Sequence, residues 1–288
     1  RFLPYCLFVL LWTTLVYDPL AHWVWALDAD GNAAGWLGKM GALDFAGGTV
    51  VHIAAGFSAL AAILVLPRRR GYPDHAMHPN SMVLTLTGAG LLWVGWFGFN
   101  GGSALASNAQ AGLAIAATQA AAAAAGVAWL LVEWCHRGKP TALGLASGIV
   151  AGLVAITPAS GFVSPGSAVL IGLVAGVGCY AAVYSKVIFK HDDSLDAFGV
   201  HGVGGLIGAV LTGVFASWAL WLAATGKAPV TNNEPTAMGV ITEAFPSGLA
   251  AQVVVQVIAA AVAGGYGFVV TLVLVKVLDA TIGFALPA

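Results

Sequence analysis

Residues 111–134 read AGLAIAATQAAAAAAGVAWLLVEW, and no ionisable side chain interrupts the stretch before Glu133. A helix needs roughly 17–25 residues to cross the hydrocarbon core of a bilayer, so Ala111–Trp134 is long enough and apolar enough to do so. The strict alternation of a barrel strand is absent. Working outward, seven further apolar runs meet the same test: Phe2–Trp25, Gly48–Pro67, Ser81–Ala104, Thr141–Pro158, Gly166–Val187, Phe198–Ala223 and Ala244–Leu278. The last is too long for an upright helix and is expected to tilt or to extend past the bilayer. The reading is all-α: a polytopic membrane helix bundle forming one domain over residues 1–288.

Composition points the same way. Hydrophobic residues make up 59% of the 288 residues and charged residues 8%, with a mean hydropathy of +0.90. A soluble domain carries about 25% charged residues to solvate its surface, whereas a lipid-facing surface needs none. The net charge of −1 gives no reason to expect a nucleic-acid partner. With eight spans, Arg1, Arg68, Arg69, Arg70, Arg137, Lys139, Lys186, Lys190 and Lys276 share one side, and only Lys39 and Lys227 fall on the other. Basic loops stay on the cytoplasmic side, so that side and both chain ends are expected there, in a cell membrane. Arg1 opens within an apolar run and Ala288 follows the last one, so both ends read as cut from a longer protein.

Glycine is frequent, at 38 residues. Gly144, Gly148 and Gly152 recur every four residues, as do Gly172 and Gly176. That spacing lines one helix face with small residues and lets two helices approach closely. The three cysteines, Cys6, Cys135 and Cys179, are far apart and show neither metal spacing nor a disulfide framework. No cofactor or metal site is expected, and no nucleophile–base constellation suggests an enzyme.

The informative residues are polar ones inside apolar spans, because an ionisable side chain in lipid is expensive and marks a functional site by default. His52 lies in GGTVVHIAAG and His201 in FGVHGVGG, each among small residues that leave room around the ring. The plainer alternative is a packed imidazole bonded to a backbone carbonyl. Asp44 and Asp196 precede the two spans, where a carboxylate can accept free backbone N–H groups and favour the helix dipole. Trp23, Trp25 and Trp134 sit at span ends, as interface anchors do. Trp96 and Phe99 fall instead within the glycine-broken run WVGWFGFNGGS; aromatic faces attract ammonium-type cations, and Ser103 just beyond can accept a hydrogen bond. Asp18, inside the first span, has no reading from the sequence.

Four stretches together resemble a known family: GALDFAGGTVVHIAAG (Gly41–Gly56), WFGFNGGSA (Trp96–Ala104), RGKPTALGLASGIVAGLVAITPASGFVSPGSA (Arg137–Ala168) and DDSLDAFGVHGVGG (Asp192–Gly205). They are similar to the signatures of the Amt/Mep/Rh ammonium transporters, bacterial Amt-like in wording. The resemblance implies eleven spans in two inverted repeats plus a long last helix, of which this chain holds the fourth to eleventh. It implies a homotrimer in lipid with one pore per subunit. It casts His52 and His201 as twin pore-lining histidines, Trp96 as a pore tryptophan, and Trp25 and Ser103 as an outer ammonium-recruitment site. Phe99 becomes one ring of a phenylalanine gate, whose other ring belongs to the third span. Asp44 becomes the buried aspartate that supports ammonium binding and the helix start, and Asp196 its counterpart in the second repeat. The implied function is passage of ammonia after deprotonation of ammonium. A PII-type regulator is a possible partner, and an ammonium-sensing receptor of the same fold is the alternative.

Overall fold

The computed structural model describes residues 1–75, 77–225 and 248–284. Lys227 and the first residues of the last apolar run, Ala244 to Ser247, lie outside them. Among the described residues there are helices and no strand. In chain order they are α1 (Phe2–Trp25), α2 (Trp36–Lys39), α3 (Gly48–Val65), α4 (Met82–Gly102), α5 (Ala109–Arg137), α6 (Ala142–Ile156), α7 (Pro165–Phe189), α8 (Phe198–Phe215), α9 (Trp218–Thr225) and α10 (Gly248–Ile282).

Seven of these helices are long and apolar enough to cross a membrane: α1, α3, α4, α5, α7, α8 and α10. The expected span Thr141–Pro158 is the exception. Its helix, α6, has 15 residues and gives way to turns through Phe162. Fifteen residues rise about 22 Å, short of the ~30 Å hydrocarbon thickness. Residues 151–163 are buried throughout, and irregular backbone is tolerated at membrane depth where protein covers it. The expected span Phe198–Ala223 is also broken. Ala216 leaves the helix, the N–H of Ser217 donates to Phe162 O (2.9 Å), and Trp221 of α9 stacks on Phe162 at 5.0 Å. The 35-residue α10 rises about 52 Å, longer than a bilayer is thick, as the sequence implied.

The glycine rows do what their spacing promised. A Cβ on Gly152 would lie 2.5 Å from Ala121 O, and one on Gly176 would lie 2.5 Å from Ala125 O. Gly148 and Gly172 likewise abut the alanine run of α5. Helices α6 and α7 therefore press against α5 with almost no side chain between backbones, in a core of Ala117, Ala121, Ile156, Ile171 and Ala175.

A second set of contacts ties α1, α3 and α10. Trp12 Nε1 donates to Ser58 Oγ (2.9 Å) and to Thr271 Oγ1 (3.1 Å), while Thr271 Oγ1 bonds Ser58 Oγ (2.8 Å). Ser58 and Thr271 are buried, where polar atoms need such partners. In α1, Pro19 lacks the N–H that Leu15 O would accept. The helix widens to a π-type turn over Thr13–Tyr17, and Tyr266 Oη donates to Leu15 O (2.7 Å) instead. Asp18, exposed beside Pro19, resumes the α-helix after that turn.

Candidate functional site

The site begins with two helix starts. The carboxylate of Asp44 accepts the N–H groups of Gly47 (2.9 Å), Gly48 (2.7 Å), Thr49 (2.9 Å) and Val50 (3.0 Å). These are donors that a helix N-terminus leaves without intrahelical partners. Gly47 makes the tight entry at φ 111°, where a side chain would be strained and would meet Val51 and the Trp25 ring. The turn then widens, with the N–H of His52 reaching Gly47 O five residues back at 3.0 Å. The π-type turn over Gly48–Ile53 carries His52, which is buried at 4% exposure. Such turns recur at functional sites.

The second helix start repeats the first with a different aspartate from the one expected. Asp193 Oδ1 accepts the N–H of Ala197 (2.9 Å), and its Oδ2 accepts those of Phe198 (2.9 Å) and Gly199 (3.4 Å). The π-type turn Phe198–Gly202 follows and carries His201. Asp196 does not cap this helix with its side chain. It sits at φ 56°, and its carboxylate pairs with Lys186 of α7. Its left-handed backbone and its pairing with Lys186 turn the carboxylate away from the first amides, which Asp193 takes instead. The spacing held the signal, since Asp44 and Asp193 each stand eight residues before their histidines.

Glycine brings the two histidines together. A Cβ on Gly56 of α3 would overlap the backbone of Gly202 and lie 3.0 Å from the carbonyl carbon of His201. Gly205 of α8 faces Gly48 O, 3.0 Å from its own ideal Cβ. Backbones crossing at this distance leave His52 and His201 side by side, Nδ1 to Nδ1 at 3.2 Å and ring centres 5.2 Å apart. Trp96 stacks on His52 at 5.3 Å and 20°, and its Nε1 donates to Thr157 Oγ1 at 2.9 Å. Thr157 stands where α6 ends, so the early termination of that helix supplies the acceptor that fixes the tryptophan. Phe99 completes the row, 5.6 Å from Trp96 and 6.1 Å from His52.

The outer residues are placed less uniformly. Ser103 lies one turn beyond Phe99 and donates its hydroxyl hydrogen to Phe99 O (3.0 Å), leaving its lone pairs available. Trp25 is half-buried and donates its Nε1 to Asp44 O (2.7 Å), so it braces the capping loop as well as closing the end of α1. The four amides occupy the lone-pair directions of the Asp44 carboxylate, which is 6% exposed. Asp44 therefore shapes the helix start, with its carboxylate oxygens taken up by main-chain donors. On the opposite side of the histidines a cavity of about 790 Å³ reaches His201, lined by Leu84, Ala89, Leu92, Ser147 and Val150, with Asp196 and Lys186 also in its wall.

One polar atom of the pair has no protein partner. His52 Nε2 is buried and makes no hydrogen bond among the described residues. Two features of the site were not legible from composition or motif: Asp193 as the second cap, and Gln256 of α10, which bonds the main chain of Leu43 beside Asp44.

Comparison with known proteins agrees with this geometry. A family model described as "Ammonium Transporter Family" matches residues 1–288. The chain is 46% identical over 273 residues to ammonium transporter Amt1 of Archaeoglobus fulgidus, covering 95% of this chain and 63% of that protein. It is 46% identical over 292 residues to an ammonium transporter of Mycobacterium tuberculosis, covering 100% of this chain and 58% of that one. The crystal structure of Saccharomyces cerevisiae Mep2 superposes with a TM-score of 0.85 at 39% identity, over 100% of this chain and 61% of Mep2. A solved structure described as a sensor Amt protein superposes with a TM-score of 0.79 at 34% identity, over 93% of this chain and 62% of that one. The chain thus spans less than two thirds of the length of these relatives. With two capped, glycine-crossed helices presenting paired histidines, and a family model matching from first residue to last, the chain belongs to the ammonium transporter family.

Proposed function

We propose that the protein conducts ammonia across a cell membrane, with its basic loops cytoplasmic, through a pore lined by His52, His201 and Trp96. The observation that carries this reading is the buried, unpartnered Nε2 of His52 beside the shared Nδ1–Nδ1 contact. A buried polar atom without a partner is costly and calls for an explanation; a small hydrogen-bonding solute passing the rings supplies one.

The physics separates ammonium from potassium. The two cations are alike in size and charge, but only ammonium has N–H donors and a removable proton. Trp25 and Ser103 recruit the cation by an aromatic face and a hydroxyl acceptor, with Phe99 as a gate ring below them. An unpaired charge is strongly disfavoured in an apolar pore, so ammonium gives its proton to water in the outer vestibule and neutral ammonia enters. The imidazoles donate to it, accept from it and exchange protons near neutral pH. In this reading the protein works as a homotrimer in lipid, open to a PII-type regulator on the cytoplasmic side.

A receptor reading follows from the neighbour described as a sensor Amt protein. One experiment separates the two. The full-length protein is reconstituted in liposomes, and current and internal pH are recorded after ammonium and potassium jumps. His52→Ala/His201→Ala is run beside the natural sequence. Saturable uptake that ignores potassium, and that changes in rate or selectivity in the double variant, supports the pore. Ammonium binding without flux sinks it and favours the receptor.

A further inference from the structure

We propose that Gln256 of α10 is a positioning residue for the histidine pair, holding the start of one histidine helix in register with the other. This rests on the pore reading above and adds to it a determinant outside both histidine helices. Gln256 is 1% exposed in the middle of an apolar helix. Its Oε1 accepts the N–H of Leu43 (2.7 Å), and its Nε2 donates to Leu43 O (2.8 Å) and to Ala209 O (3.1 Å). The Oε1 also accepts from Gln252 Nε2 at 3.3 Å, while Gln252 Nε2 reaches Gly41 O at 3.0 Å. An amide side chain has two donor hydrogens and two acceptor lone pairs, so Gln256 is fully used.

The partners give those bonds their meaning. Leu43 immediately precedes Asp44, whose carboxylate gathers the amides of the turn that carries His52. Ala209 lies on α8, eight residues past His201. A single side chain therefore spans from the loop that starts the first histidine helix to the body of the second. A shift of Leu43 moves Asp44, the capped turn and His52 relative to His201, and groups that act on a small solute must be held within about 0.5 Å of their working geometry. Burial of the apolar rows alone would call for leucine at this position; a saturated glutamine supplies direction, which apolar packing does not.

The test uses the full-length protein in liposomes. Gln256→Leu removes all four bonds, Gln256→Glu keeps the shape and the acceptor but loses the two donated bonds, and Gln252→Leu is the control on the same helix face. In both Gln256 variants the maximal ammonium flux is expected to fall on the order of tenfold. The half-saturating concentration should change less than the maximal flux, because Ser103 is untouched and Trp25 meets the moved loop only through Asp44 O. Gln252→Leu, which leaves the bonds of Gln256 to Leu43 and Ala209 in place, should lower the flux less than either Gln256 variant. In parallel, nitrogen NMR of labelled imidazoles reads the His52–His201 hydrogen bond directly, without any transport. Loss or shift of that paired signal in Gln256→Glu, with thermal unfolding close to that of the natural sequence, supports positioning. An unchanged imidazole signal overturns the proposal, whether the flux is unchanged or falls only as far as stability does. If the natural protein carries no flux, the pore reading fails while the imidazole signal still decides the role of Gln256.

Discussion

His52 and His201 face each other through like atoms, Nδ1 to Nδ1 at 3.2 Å. Both nitrogens cannot donate, so a neutral pair needs opposite tautomers: one ring carries its hydrogen on Nδ1 and the other on Nε2. The two Nε2 atoms then differ, one a bare acceptor and one an N–H donor, and the pair presents one of each. Nitrogen NMR on labelled histidine at neutral pH should resolve one ring of each tautomer. Substituting His52 by Ala should let His201 exchange between both. Two rings of the same tautomer in the natural protein would contradict the contact.

The two capping carboxylates are expected to matter more than the aspartate beside them. Asp44→Ala strands four buried main-chain donors, and unsatisfied buried groups cost about 1–3 kcal/mol each before any relaxation. Asp193→Ala strands three. Each should lower stability in detergent by at least about 2 kcal/mol, at the upper end of measured capping effects. Asp196→Ala removes a partly exposed pair with Lys186, and such pairs contribute roughly 0–1 kcal/mol. Thermal unfolding of the three variants gives the order; Asp196→Ala as damaging as Asp193→Ala would return the cap to Asp196.

That misplacement shows where sequence stops informing structure. Hydropathy found the membrane helices because each carries enough apolar length, whatever its neighbours. It overextended α6 and α8, since apolar residues facing other helices look the same as those facing lipid. His52, His201 and Trp96 stood out because polar or large aromatic groups are conspicuous among glycines and alanines. Asp44 caps its helix as its position implies, yet three aspartates, Asp192, Asp193 and Asp196, precede the His201 span and proximity favours Asp196; the repeated eight-residue offset favours Asp193. The π-type turns and the Gly56–Gly202 crossing depend on backbone paths that no residue type announces. Gln256 sits in plain view in the last apolar run, but Leu43, its partner beside Asp44, is 213 residues away.

The helix crossing should tolerate no added carbon. Gly56→Ala places a Cβ against the backbone of Gly202, which cannot swing aside as a side chain could. Overpacking of this kind costs typically about 1–3 kcal/mol, and here the relief must come from separating α3 and α8. Gly112 in the first turns of α5 is an internal control, because its Cβ would meet nothing within 4 Å. Gly112→Ala should raise stability slightly, by up to about 1 kcal/mol from helix propensity. Gly56→Ala should lower stability and also abolish the paired imidazole signal. Retention of that signal in Gly56→Ala would mean that the crossing does not set the histidine distance.

The loop before Asp193 is fastened from outside, as the loop before Asp44 is by Gln256. Arg69 donates its main-chain N–H (2.7 Å), Nε (2.9 Å) and an Nη (2.5 Å) to the Asp192 carboxylate, and Tyr72 Oη donates to His191 O (2.8 Å). The Arg69 guanidinium holds the Asp192 carboxyl below its ordinary value of 3.8. A carboxylate with a depressed value in the folded protein contributes stability that is complete above its unfolded value. That contribution is lost as pH falls through the folded value. The clasp is therefore constant across the neutral range and opens only in acid below pH 3.8. Asp192→Asn should be less stable than the natural sequence at pH 7 by a margin that does not change down to about pH 5 and closes under stronger acid. Unfolding of both proteins measured at a series of pH values checks this. A margin that shrank between pH 8 and 6 would show that a group titrating near neutrality, and not Asp192, governs the clasp.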